Sequence, residues 1–240
     1  PIDPYFSATK MHWLLKNNQD VIAAEKSHQL HFGTIDTFLL YKLTGNKTFA
    51  TEASNASRTL LLNLKTLRWE PQLLKLFGIT DASVLPEIKD SFSNFGTTLG
   101  LDFLPDGIPI TGILGDQQAA LFWQSGIHEG DMKCTYGTGA FLLLNTGSNL
   151  KYSTNGLLTT IAYSHQGKAC YALEGSSYIA GAAVQFLRDN LTFFKNSSEI
   201  ESLALKITDL TQMRDVLFFP YFTGIGSPYW QPNARGAILG

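Results

Sequence analysis

The sequence predicts an α/β protein in two parts. Strand-length apolar runs and helix-periodic segments are interspersed along 240 residues, enough to bury a large core in one big domain or two modest ones. A short polar stretch at 126–130 separates a first part of mixed helices and strands from a second that begins with four strands in succession. The expected division is therefore 1–126 and 127–240. One carboxylate, Asp116, stands where an apolar run meets a helical one. Open α/β sheets bind ligands in strand-to-helix crevices of that kind.

Met11, Leu14 and Leu15 recur at helical spacing beside Lys10 and Lys16, which predicts an amphipathic helix over 8–16. The next helix is better marked: Thr34 is placed to cap it, Ile35, Phe38, Leu39, Tyr41 and Leu43 build its apolar side, and Gly45 ends it. Residues 48–64, rich in Thr, Ser and Asn, are expected to run irregularly into a strand at 59–62 that turns at 63–66. Pro71 opens a short helix to Leu76, with Gly78 at its stop. A loop at 86–88 and an edge strand at 91–99 follow. The turn Pro105-Asp106-Gly107 leads into a buried strand over 108–114, and a helix over 117–124 closes the first part. The second part reads as strands at 132–136, 140–145, 157–163 and 169–173, then helices at about 177–191 and 198–210. A buried strand at 216–219 delivers the chain to the loop 222–230 and the strand-like residues 235–239. The sequence has no fixed-period repeat and no low-complexity tract.

Charge narrows the function classes. Eighteen Lys and Arg against 20 Asp and Glu leave a formal charge of −2, which gives no case for nucleic acid or an anionic membrane as partner. A small, locally recognised substrate fits better. Cys134 and Cys170 lie in different segments without metal-ligand spacing, which argues against a disulfide framework and a zinc site. Both are expected to be reduced and buried. His12, His28, His31, His128 and His165 are scattered, and the sequence holds neither a P-loop lysine motif nor a Gly-x-Ser-x-Gly elbow. No run approaches the roughly twenty apolar residues of a spanning helix, and the N-terminus carries no signal-peptide pattern. A cytoplasmic location without membrane insertion is expected.

Two pieces carry chemistry, and each has a plain reading. Asp before Gln-Gln-Ala-Ala is a good helix N-cap. The same carboxylate, fixed by a helix N-terminus and pointing into a cleft, can take the proton of a hydroxyl that attacks phosphorus, and the helix dipole favours its ionised form. Gly137-Thr138-Gly139 is a hairpin turn in its plain reading. It is equally a place where glycines let an anion approach backbone N–H groups while Thr138 adds a hydroxyl donor. Gly181-Ala182-Ala183 with Gln185 reads as close helix packing or as a surface where a nucleotide lies. Tyr5, Trp13 and Phe141 are of a type more often found in cores, and Arg58 among short loop formers reads as a structural hydrogen-bonder.

Longer stretches carry a resemblance. They are Pro4-Tyr5-Phe6-Ser7-Ala8-Thr9-Lys10, Ser54-Asn55-Ala56-Ser57-Arg58-Thr59, Gly115-Asp116-Gln117-Gln118-Ala119-Ala120-Leu121 and Thr135-Tyr136-Gly137-Thr138-Gly139. To these add Asn155-Gly156-Leu157-Leu158-Thr159-Thr160-Ile161-Ala162 and the run 222–236, with its Thr-Gly-Ile-Gly-Ser-Pro-Tyr-Trp. Together they resemble the FGGY family of carbohydrate kinases along nearly the whole chain, and within it the members that phosphorylate glycerol. The resemblance implies an actin-like (ribonuclease H-like) fold, with parts of two domains flanking a cleft. Residues 1–126 would be the C-terminal part of the glycerol-binding domain and 127–240 the N-terminal part of the nucleotide-binding domain. It implies ATP and Mg²⁺ as cofactors and glycerol as acceptor, with Asp116 as general base. Tyr5, Gln117 and Phe141 match acceptor-site residues, Gly137, Thr138 and Gly139 the phosphate turn, and Gly181, Val184 and Gln185 positions lining the nucleotide. Homo-oligomers are implied for the full-length protein.

The departures set expectations too. The family is about twice this long, so the ends at Pro1 and Gly240 are expected to be cuts in a longer chain, and the isolated chain is expected to be inactive. Residues 97–107 lack the Gly- and Arg-rich insert of members regulated by fructose 1,6-bisphosphate, so that control is not expected. A kinase for another polyol or pentulose, or a non-catalytic fragment, are the alternatives.

Overall fold

The computed structural model describes residues 3–240, with positions 210 and 212 described through their backbone alone. It divides into two compact units. The first runs to Asp131 and takes in Asn145–Lys151 and Thr159–Ala172; the second comprises Met132–Leu144, Tyr152–Leu158 and Leu173–Gly240.

In the first unit come α1 (Ser7–Asn17), α2 (Gln19–Lys26), α3 (Ile35–Leu43), β1 (Ala50–Glu52), α4 (Ala53–Ala56), β2 (Leu62–Asn63), β3 (Arg68–Trp69), α5 (Pro71–Leu76), β4 (Glu87–Lys89) and α6 (Asp116–Trp123). β1 pairs with β4 in parallel, Thr51 opposite Ile88, and β2 with β3 antiparallel. One core gathers Ala8 and Met11 of α1, Leu30, Phe32, Leu61, Leu74, Phe77, Ile79 and Leu85. A second joins Ala53, Ala56 and Leu62 to Ile161 and Tyr171. Local signals explain several ends. Pro71 begins α5 where its missing N–H is no loss, Gly78 leaves it at φ +76, and Asn63 Oδ1 takes the N–H groups of Lys65 and Thr66 as an Asx turn.

Helix α2 has no counterpart in the sequence reading. Asn18 starts it by accepting from the N–H groups of Asp20 and Val21 at 3.0 and 3.1 Å. Asn18→Ala leaves those donors unmet and is expected to cost about 1 kcal/mol, read as a lower midpoint in chemical denaturation. Several expectations change. Thr34 sits at the cap position of α3 but its hydroxyl donates to Asp36, whose other oxygen accepts from Thr51 at 2.6 Å. That polar pair turns Asp36, Thr37 and Leu40 inward and leaves Ile35, Phe38, Leu39 and Tyr41, the expected apolar side, exposed. The strand expected at 59–62 is a turn, and the ladder begins only at Leu62. The loop and the edge strand of 86–99 are interchanged, because 87–89 is β4 and 91–99 keeps one bridge, Thr97 to Pro109.

Residues 108–114 form no strand. Ile110 O accepts from Phe95 N and Ile113 N donates to Ser91 O, but Pro109 has no N–H to give and Gly112 no side chain to pack. Ile108 is exposed and Ile110, Ile113 and Leu114 are half-buried. Trp13 is exposed too, because α1 turns Ala8 and Met11 inward instead.

The chain continues as β5 (Met132–Tyr136), β6 (Ala140–Gly147), β7 (Leu158–His165), β8 (Lys168–Ser177), α7 (Gly181–Asp189), α8 (Glu199–Ala204), β9 (Leu217–Phe219) and β10 (Ala237–Leu239). β5 to β8 make a sheet in the order β5-β6-β8-β7, with β5 and β6 antiparallel. In β5 the alternation buries Lys133 and exposes Met132, Cys134 and Tyr136. Cys134 is thus exposed, contrary to expectation, and Cys170 is buried; both are free thiols. β9 pairs antiparallel with β10, and its Leu217 is exposed where burial was expected. α7 and α8 are shorter than the periodicity suggests. The loop 222–230 is tied back by Trp230 Nε1, which donates to Gly156 O at 2.7 Å.

Candidate active site

In the first unit Asp116 is the first residue of α6, and Gly115, not Asp116, occupies the cap position. A β-carbon on Gly115 would stand 2.6 Å from Gln118 Oε1, so a larger residue there would require the Gln118 side chain to move. The Asp116 carboxylate is exposed. Its Oδ1 accepts from the Gln117 N–H at 2.8 Å and its Oδ2 from Gln117 Nε2 at 3.3 Å, which brings two of the expected residues together. Beside Asp116 opens a cavity of about 530 Å³, walled by Leu39, Leu43, Asn55, Ile110 and Ile113. A separate hollow of about 100 Å³ around His28, His31 and Asp81 touches none of the expected site residues.

Tyr5 lies elsewhere in the same unit, under the Arg58 guanidinium, whose carbon is 5.2 Å from the Tyr5 and Phe6 ring centres. Arg58 Nη1 also donates to Thr160 Oγ1 at 3.4 Å, the structural role expected of it. Sequence reasoning missed the residues behind Asp116. Glu52, fully buried, caps α4 and binds Ser54 and Ser91, and burial pushes its carboxyl upward from the usual range. The only trace in the sequence is an acid just before Ser54 and Asn55.

In the second unit the turn at 137–139 rests on the start of α7. Gly181 N donates to Gly137 O at 2.8 Å and Ala180 N to Thr138 O at 2.7 Å. Gly139 admits no side chain, since a β-carbon there would meet Ser177 O at 2.5 Å. The Gly137 N–H is spent on Gly139 O, while among the described residues the N–H groups of Thr138 and Gly139 meet no acceptor. Two free backbone donors on a glycine turn suit an anion. Phe141 lies in β6 opposite Thr135, half-buried. Val184 and Gln185 follow on α7, one half-buried and one exposed. Among the described residues no three His, Cys, Asp or Glu side chains gather to hold a metal ion, and no helix is long and apolar enough to cross a membrane.

The fold is that of carbohydrate kinases. A Plasmodium falciparum glycerol kinase solved with ADP superposes with a TM-score of 0.85 at 43% identity, covering 99% of this chain and 47% of that one. A gluconate kinase from Lactobacillus acidophilus reaches 0.79 at 22% identity over 100% of this chain and 47% of its own, a likeness of fold alone. Residues 1–123 match the FGGY family of carbohydrate kinases, N-terminal domain, and 132–240 its C-terminal domain. The chain belongs to the FGGY family of carbohydrate kinases, and the actin-like fold expected from its motifs is the fold it has. Curated relatives include glycerol kinases of Bdellovibrio bacteriovorus, 55% identical, and Thermus brockianus, 52% identical, each over 100% of this chain. The chain spans 48% and 47% of their lengths.

Proposed function

We propose that the whole protein to which this chain belongs is an ATP-dependent glycerol kinase that yields sn-glycerol 3-phosphate. The terminal hydroxyl oxygen of glycerol attacks the γ-phosphorus, its proton passes to Asp116, and ADP leaves with the electrons of the broken P–O bond. Tyr5, Gln117 and Phe141 hold the acceptor. Gly137, Thr138 and Gly139 hold phosphate through the two unspent N–H groups and the Thr138 hydroxyl, and Gly181, Val184 and Gln185 line the nucleotide. Mg²⁺, when bound with the nucleotide, would neutralise charge on the transferring phosphoryl group; among the described residues no three His, Cys, Asp or Glu side chains gather to hold it. A cytoplasmic, homo-oligomeric enzyme completes the reading. Within the domains, 1–126 is the glycerol-binding part and 127–240 the nucleotide-binding part, with Phe141 the one acceptor residue drawn from the latter.

The observation that carries it is the contrast in identity. Glycerol kinases match at 43% to 55%, whereas a xylulose kinase and a gluconate kinase of the same fold match at 20% and 22%. A coupled assay of ADP release on the whole protein is expected to show glycerol preferred over xylulose and gluconate by at least about 100-fold in kcat/KM. Preference for a pentulose would overturn the acceptor. The 240-residue chain alone, half the length of its relatives, is expected to turn over no glycerol.

A further inference from the structure

Glu52 is a fully buried carboxylate that the chemistry above does not use. It receives five hydrogen bonds. Oε1 accepts from the Ser54 hydroxyl and from Asn55 N and Nδ2 at 2.7 and 2.9 Å. Oε2 accepts from Ser54 N and from the Ser91 hydroxyl, each at 2.8 Å. Because a carboxylate only accepts, it commits both hydroxyl protons to itself and leaves the serine lone pairs free to receive backbone N–H groups.

Those lone pairs face the segment that leads to Asp116. Ser54 Oγ accepts from Gly115 N at 2.9 Å, one residue before the proposed base. Ser91 Oγ accepts from Ser164 N at 2.9 Å, and Ser91 N in turn donates to Ser164 O at 3.0 Å, which fixes the Ser91 backbone. The Ser91 carbonyl then accepts from Ile113 N at 3.0 Å. Residues 113 and 115 are thus held by two hooks, and one buried carboxylate orients both. This segment lacks a strand ladder, so the hooks replace the support a sheet would give.

We propose that Glu52 is a positioning residue for phosphoryl transfer: through Ser54 and Ser91 it fixes the backbone at 113–115 and so the place of the Asp116 carboxylate. The inference rests on Asp116 being the base. A glutamine at 52 turns an amide donor toward one serine, whose own proton then has no acceptor, and that hook loosens.

In the whole protein, Glu52→Gln and Ser54→Ala are each expected to lower kcat about 10- to 100-fold, because ångström-scale misplacement of a reacting group costs up to about that much. KM for the nucleotide is expected to stay within about twofold, and kcat is read per folded enzyme, counted by thermal melt and by the stoichiometry of ADP binding, because a smaller folded fraction would also lower apparent kcat at unchanged KM. Ser54→Thr, which returns the hydroxyl, is expected to restore kcat. Ser54→Ala deletes one hydroxyl only and keeps the test open should loss of the carboxylate unfold the protein. Asp116→Asn is assayed alongside. If it abolishes turnover while Ser54→Ala, folded by thermal melt, keeps the wild-type kcat, positioning by Glu52 is wrong and the base stands. If Asp116→Asn itself keeps the wild-type kcat, the base assignment falls and takes this inference with it.

Discussion

Asp116→Asn in the whole protein is expected to reduce kcat by about 10²- to 10⁴-fold, the range that a positioned general base supplies. The substitution isolates the chemistry because the local structure survives it. Asn keeps an Oδ1 that can accept from Gln117 N, now 2.8 Å away, and the side chain is exposed, so no buried partner is orphaned. Stability is expected to change by less than about 1 kcal/mol, as for most surface substitutions. What is lost is a place for the acceptor's proton. Nucleotide KM is expected to hold, since the phosphate turn belongs to the other unit. Steady-state kinetics with a thermal melt decide the matter: a kcat within about tenfold of wild type, with an unchanged melt, removes Asp116 from proton transfer.

How much of this was legible in the sequence follows from what each feature depends on. Backbone chemistry set by one or two residues could be read directly: Pro71 and Gly78 bound α5, Asn63 makes its turn, and β5 covers the expected 132–136. Features that depend on a partner elsewhere could not. The buried face of α3 follows Asp36 because Thr51 of β1 receives it, and no periodicity within 35–43 contains that information. Residues 108–114 look like a buried strand by composition, yet strand pairing is a property of two segments. The site divides in the same way. Asp116 and the turn 137–139 announce themselves as local patterns, whereas Glu52 was overlooked because glutamate is rarely buried and, of its three hydrogen-bonding partners, Ser91 lies 39 residues away and becomes a neighbour only on folding.

Gly181→Ala tests the phosphate turn from behind. In most helices this change gains about 1 kcal/mol, because alanine is the better helix former. Here Gly181 opens α7 against the turn, its N–H donating to Gly137 O at 2.8 Å. A β-carbon would stand 2.5 Å from that same oxygen, well inside the 3.4 Å at which ordinary contact begins, and the obstacle is backbone, which cannot rotate aside. Overpacking of this kind costs about 1–3 kcal/mol, which cancels or exceeds the helix gain, so the turn shifts away from α7. A shift approaching an ångström carries the free N–H groups of Thr138 and Gly139 off the phosphate. Nucleotide KM is therefore expected to rise about tenfold and kcat/KM to fall by up to about 10²-fold, in a protein destabilised by no more than about 2 kcal/mol. Titration of ADP by calorimetry separates weaker binding from slower chemistry. Unchanged ADP affinity in folded Gly181→Ala would mean that the turn does not hold the phosphates.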